Sequence, residues 1–336
     1  MKKKILILIL ILSLAASFLL TACNDNKSED KLRIIFLGDS VGEGVAGMAP
    51  ISERERDAYF GSVSLRNGYE FRNRAISGSR SRQLLDYIQV EDEGIWMTQS
   101  LIRSADVIHV SILGNDIMLS DISEMVTGLV KDDEVLLNKV IDTARDNIAE
   151  IVRILKEYNP DAILIIQTVY NPIFGKNILI TPDAEVELAE LGIGEDGYRA
   201  LASEIIVRVN AVIHQYLALH PGAFHIVDGF AEYDRIYRED PERGRDLIFV
   251  DDAHPSSEGH GVLADLNQTL FEELGLADAK SALKKYKSMR IEQLERIYSK
   301  RIDVRAAKRE INRAKTKEEV TELYYDLIDG ILPNYL

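Results

Sequence analysis

Only one cysteine occurs in these 336 residues, at position 23, so no internal disulfide can form and the fold must rest on its hydrophobic core. Positive charge is also short: 40 Lys and Arg stand against 55 Asp and Glu, a net charge of −15. A chain this acidic lacks the basic face that a phosphate backbone requires, which argues against nucleic acid as a partner. The six histidines include no His-x-x-x-His pair, so the commonest helical zinc signature is missing. One long apolar run is present, from Ile5 to Leu20, and it is shorter than the roughly 20 residues a spanning helix needs. There is no internal repeat, and no low-complexity segment apart from the polar stretch Asn24 to Lys31.

The ends carry the next information. Lys2, Lys3 and Lys4 precede the apolar run, which closes on Leu20-Thr21-Ala22-Cys23. That arrangement resembles a bacterial lipoprotein signal, cleaved before a cysteine that is then lipidated. The expectation is therefore a signal peptide over residues 1–22 and a lipidated Cys23 with a polar tether over 23–31. The protein would be anchored by Cys23 to the outer face of the cytoplasmic membrane. An uncleaved anchor helix is the alternative, and it too leaves the rest of the chain outside. The globular pattern begins at Leu32 and continues to residue 277. From 278 to 336 the chain is charged, periodic helix with fourteen Lys or Arg against ten Asp or Glu, so this helical appendage is basic while the body is strongly acidic.

Within 32–277, apolar and β-branched runs recur at Arg33–Leu37, Tyr69–Ala75, Asp106–Leu113, Ala162–Tyr170 and Phe224–Gly229, with helical stretches between them, notably Asp133–Tyr158 and Gly197–His220. Strand alternating with helix predicts a parallel sheet covered on both faces, with reactive groups gathered at the carboxyl ends of the strands.

Each candidate for chemistry follows one of those strands. Gly38-Asp39-Ser40-Val41-Gly42 comes after the first, where a serine flanked by glycines would sit on a sharp turn; a helix cap is the plainer reading of the same residues. Asn73-Arg74-Ala75-Ile76-Ser77-Gly78 follows the second strand, Gly114-Asn115-Asp116 the third, and Asp251-Asp252-Ala253-His254-Pro255 the last. A serine hydroxyl needs a neighbouring imidazole to take its proton, and the imidazole needs a carboxylate to fix its tautomer. Asp251 and His254 are three residues apart and can lie on one side of a turn. A carboxamide such as Asn115 can donate to a developing alkoxide without bringing a charge of its own.

These four segments, in this order, resemble the conserved blocks of SGNH (GDSL-type) hydrolases. The resemblance spans residues 32 to about 275 and implies a three-layer α/β/α sandwich with a flavodoxin-like parallel sheet. It implies Ser40 as nucleophile, His254 as base and Asp251 as its orienting acid, with the Ser40 amide, the Gly78 amide and the Asn115 side chain as oxyanion donors. It implies a serine esterase needing no cofactor and no metal. Two positions depart from the blocks: Val41 replaces the usual Leu, and Ala75 replaces a frequent Gly, which is expected to narrow the approach to the site. Family substrates include acetylated sugars, lysophospholipids, other lipids and thioesters, so the ester itself is not readable. An acyltransferase of surface glycans and a noncatalytic surface-binding lipoprotein are the other two readings.

Gly38 to Gly42 also fits the Gly-x-Ser-x-Gly elbow of α/β-hydrolases, but that elbow needs earlier strands to supply its oxyanion loop, and Ser40 follows the first strand. His109, inside the third strand, is expected to be a satisfied, partly buried residue, and Asp116 a structural hydrogen-bond partner. Tyr170, Asn171 and Pro172 are placed either at the pocket or in a plain turn. In the tail, Thr316 and Glu319 fit a capping box. Residues Ile311 to Val320 faintly resemble the three-helix modules of Gram-positive surface proteins; a generic amphipathic bundle is favoured, and a surface partner for these helices is left open. Every motif precedes residue 278, so the tail is expected to be dispensable for the chemistry.

Overall fold

The computed structural model describes residues 31–45, 54–90, 97–249 and 253–329. Cys23, the signal and the tether up to residue 30 lie outside the described residues, as does Asp251. From Arg33 onward the described chain forms one compact unit.

Its centre is a five-stranded parallel sheet: β1 (Arg33–Gly38), β2 (Glu70–Asn73), β3 (Val107–Ser111), β4 (Ile163–Gln167) and β5 (His225–Val227), in the order β2-β1-β3-β4-β5. This is the flavodoxin-like order expected from the sequence. The three central strands read as nearly continuous apolar runs because both faces are covered, and β3 is buried at every residue. The edge strand β2 carries Glu70 and Arg72 on its exposed positions, which discourages pairing with another chain.

Ten helices matter to the site and its surroundings: α1 (Ser40–Glu43), α2 (Tyr59–Asn67), α3 (Ser81–Gln89), α4 (Gly114–Met118), α5 (Val135–Tyr158), α6 (Glu195–Leu219), α7 (Ser257–Glu273), α8 (Ala279–Gln293), α9 (Val304–Arg313) and α10 (Lys317–Asp329). Side chains alternate across the pleat, so each strand feeds two cores. Ile35, Leu37, Ile108, Val110, Leu164 and Ile166 join the apolar stripes of α3, α5 and α6 in one layer. On the other face Phe36 packs against Tyr59 and Phe60 of α2 at ring separations of 6.0 and 5.7 Å, and against His109 at 5.3 Å.

His109 is wholly buried rather than partly buried. Desolvation lowers its pKa to about 3, so the ring is neutral and serves as packing, with Tyr59 Oη 3.4 Å from Nδ1. The rings of Phe36 and Tyr59, each 5.3 Å away, cover it on that face of the sheet, which alternation along the strand could not reveal.

The C-terminal helices have an apolar cluster of their own, built on Tyr286, Leu294, Ile311, Val320 and Tyr324. Half of the expected capping box forms: Thr316 Oγ1 accepts from the Glu319 amide at 3.2 Å, while Glu319 reaches back past the cap residue and accepts from the Lys315 amide at 2.5 Å. These helices also close over the body. Arg66 of α2 is completely buried, pairs with Asp265 of α7 at 2.6 Å, and lies 3.7 Å from the ring centre of Tyr286. A cation this deeply buried is stabilised only while both its carboxylate and its ring partner are in place. The tail is therefore part of the packing of the body, a contact between distant segments that the sequence pattern did not disclose.

Candidate active site

The site begins where β1 ends. Gly38 has φ +138°, and a Cβ there would fall 1.8 Å from the carbonyl oxygen of Ser111, so only glycine lets β1 and β3 approach at this level. The Asp39 amide then donates to Ser111 O at 3.0 Å, and the Asp39 carboxylate caps α1 by accepting from the Val41 amide at 3.0 Å. The cap and the nucleophile readings of this motif are thus compatible: Asp39 makes the cap, and Ser40 opens the short helix it creates, 8% exposed.

His254 reaches Ser40 from the far end of the chain, with Nε2 2.9 Å from Oγ. Several local contacts fix the segment that carries it. Ile248 and Pro255 form an isolated antiparallel bridge, and the Phe249 amide donates to His254 O at 2.8 Å. Tyr170 Oη donates to Ala253 O at 2.7 Å while its ring stacks on Tyr233 at 4.7 Å. Tyr170 therefore does more than line a pocket or make a turn, since it ties the end of β4 to the histidine segment. Ser256 then caps α7, accepting from the Gly259 amide at 3.2 Å.

Asn115 stands in the first turn of α4, directly after Leu113, whose φ of +85° is unusual for a residue with a side chain. Strain of this kind costs on the order of 1–3 kcal/mol and persists where the surroundings over-determine the backbone. The Asn115 amide donates to Ser79 O at 3.1 Å, which leaves its second amide hydrogen for a ligand. Gly78 is in the preceding turn with φ +80° and open space where a Cβ would be. Glu43 of α1 holds that turn by accepting from the Ser77 amide at 2.7 Å and the Ser77 hydroxyl at 2.5 Å. Asp116 is structural, as expected: it accepts from the Ser81 amide at 2.8 Å and the Ser81 hydroxyl at 2.6 Å, and burial raises its pKa.

Ser40, Asn115 and His254 meet in one pocket, whose walls are mainly Ile112, Met118, Val169, Tyr170, Pro172 and Leu179. Val41 lines it too, while Gly78 and Ala75 are not among its lining residues. The Ala75 methyl lies against Gly42, 3.0 Å from where a Cβ there would be, so it does not narrow the approach as expected. Close to His254 in the chain, Glu258 is paired with Arg243 at 3.0 Å and His260 Nε2 stands 3.2 Å from Val45 O, so these three side chains turn to three separate partners.

The sequence model of GDSL-like lipases and acylhydrolases matches residues 34–267, a span that contains all four motifs. The chain belongs to this GDSL-like lipase/acylhydrolase family. Among solved structures it is similar to a lipase, Lip_vut3, from a goat rumen metagenome: 19% identity, 71% of this chain and 97% of that one covered, TM-score 0.51. It is similar also to phospholipase A1 from Streptomyces albidoflavus NA297: 18% identity, 71% of this chain and 98% of that one covered, TM-score 0.50. At such identities the likeness concerns the fold. No curated protein sequence matches the chain. The family match stops before α8, so the C-terminal helices are an addition to the GDSL hydrolase body.

One residue of this GDSL site was read from sequence only as a cap. Asp39 is buried, and burial, followed by the nearby Asp116 charge, raises its pKa from 3.8 to about 7 against the lowering effect of the Val41 and Gly42 amides and of His254. Between those two values the unfolded chain has lost a proton that the folded chain keeps. The contribution of Asp39 to stability should therefore fall as pH rises from about 4 to 7 and level off above, opposing the rise that buried His109 contributes between about 3 and 6.5. Asp39→Asn keeps a capping oxygen and removes the titration. In urea unfolding at pH 4, 5.5 and 7, the variant should gain on wild type by up to about 1.4 kcal/mol per pH unit. Parallel stability curves would show that Asp39 stays ionised in the fold.

Proposed function

We propose that this chain hydrolyses carboxylic esters through an acyl-enzyme on Ser40, with an acyl group that has a hydrocarbon portion. The observation that carries the reading is the 2.9 Å approach of His254 Nε2 to Ser40 Oγ at the floor of an apolar pocket. In the neutral tautomer protonated at Nδ1, Nε2 takes the hydroxyl proton as Oγ attacks the carbonyl carbon. Asp251 is assigned to the Nδ1 side, where a carboxylate would hold that tautomer and stabilise the imidazolium. The tetrahedral oxyanion is assigned to the Ser40 and Gly78 amides and the Asn115 carboxamide. His254 then gives its proton to the leaving alkoxide, and water, deprotonated by the same ring, releases the acid. The pocket walls favour an acyl chain over a polar glycan at the acyl side, which supports lipid-like esters.

We propose further that lipid on Cys23 holds the enzyme at the outer face of the cell membrane, a reading supported by the lysines, apolar run and Leu20-Thr21-Ala22-Cys23 box at the start of the chain. The experiment that tests the activity is a screen of residues 24–336 against p-nitrophenyl esters of increasing chain length, paired with fluorophosphonate labelling and peptide mapping. Turnover with a covalent adduct on Ser40 is expected. An unlabelled, folded protein with no turnover would favour a noncatalytic surface protein.

A further inference from the structure

We infer that Arg290, on a helix beyond the family match, is a positioning residue for His254, a role that rests on the ester-hydrolase reading above. Arg290 is completely buried between the body and the C-terminal helices. Its guanidinium carbon lies 4.3 Å from the ring centre of Tyr324 and 5.2 Å from that of Tyr286. Its Nε donates to Tyr286 Oη at 3.1 Å and Nη1 to Gln293 Oε1 at 2.9 Å. Held this way, the cation presents Nη1 to Asp57 Oδ1 at 3.9 Å.

Asp57 is itself only 4% exposed, and its other oxygen accepts a short hydrogen bond from the Ser257 hydroxyl. Ser257 is the first residue of α7, three positions after His254. The residues between are not slack: Pro255 is bridged to Ile248, and the Ser256 amide donates to Leu247 O at 2.8 Å. A shift in the first turn of α7 therefore moves the histidine.

The physical need for a cation follows from burial. A carboxyl group at this depth needs a partner on each oxygen, and the guanidinium on one side and the Ser257 hydroxyl on the other supply them. Asp57 held in this way fixes the direction of the Ser257 hydroxyl and with it the entry of α7. None of Asp57, Ser257 or Arg290 lines the pocket, so their influence on chemistry runs through His254 and not through substrate contact.

The test uses the full mature chain with Arg290→Met, Arg290→Lys and Ser257→Ala. Readouts are kcat and KM for a p-nitrophenyl ester, the rate of fluorophosphonate labelling, and the melting temperature. Misplacing a base by a fraction of an ångström to 1 Å costs up to about 100-fold, so Arg290→Met and Ser257→Ala should each lower kcat and the labelling rate by roughly 10- to 100-fold. KM should stay within about twofold, the signature of a loss confined to the transition state. Arg290→Lys, which returns the charge, should recover part of the rate. A folded Ser257→Ala protein with wild-type kcat overturns the positioning role, even if Arg290→Met fails to fold. A lower melting temperature with unchanged kcat in the folded fraction overturns it equally. Wild type that neither labels nor turns over refutes the hydrolase reading, and the positioning role falls with it.

Discussion

Ser40→Ala should abolish fluorophosphonate labelling and lower ester turnover by roughly 10⁴- to 10⁶-fold, while the protein stays folded. The size of the effect follows from the route it removes. With no hydroxyl, His254 Nε2 loses its partner at 2.9 Å and can only activate water, which is not held in the attack position. The fold should survive because Ser40 contributes no backbone hydrogen bond that alanine lacks: its carbonyl still accepts from the Val45 amide at 2.9 Å, and Asp39 still caps α1. Turnover, labelling and far-ultraviolet circular dichroism on one preparation check this. A Ser40→Ala enzyme that keeps more than a few per cent of wild-type turnover would mean that another group is the nucleophile.

The second large effect is expected at Asn115. If its carboxamide completes the oxyanion site, Asn115→Ala removes a donor that acts mainly on the developing alkoxide. That should lower turnover by roughly 10²- to 10³-fold, about 3–4 kcal/mol, with little change in KM. The variant should still label, slowly, because Ser40 and His254 remain. The rival account is structural: Asn115 donates to Ser79 O at 3.1 Å and so braces the turn that carries Gly78. On that account the mutation would lower the melting temperature and leave kcat of the folded fraction near wild type. The two roles can coexist, since the amide has two hydrogens, and the donation to Ser79 aims the second one. A stable Asn115→Ala protein with undiminished turnover would remove Asn115 from the oxyanion site.

The five strands, their parallel arrangement and the four motif segments could be read from the chain alone. The reason is that a parallel sheet buried on both faces leaves a nearly continuous apolar run for its central strands, as at Arg33–Gly38 and Val107–Ser111, with Ser40 and Asn115 just beyond them. The last motif departs from that expectation: helices over Gly229–Glu239 and Pro241–Asp246 separate β5 from His254, so the histidine arrives from a loop and not from a strand end. Strand ends were less legible. Apolar residues continue past β3 into Ile112 and Leu113 and, beyond Thr168, past β4 into Val169 and Tyr170, yet these four have left the ladder. They remain buried because Ile112, Val169 and Tyr170 build the pocket, Tyr170 makes the tie to Ala253 and Leu113 enters the core, so hydrophobicity persists where regular pairing stops.

What the sequence by itself determined, then, is which apolar runs become strands and which motif residues stand beyond them, because hydrophobic periodicity is a local property of the chain. Only the tertiary structure decided which of them meet. The approach of His254 to Ser40 closes 214 residues of separation, and the Arg290 contact with Asp57 joins a basic helix at one end of the chain to an aspartate near the other. Neither distance is encoded in a spacing. Both depend on how helices of different segments fill the space over the sheet, where a buried charge tolerates only the few positions that give it a partner.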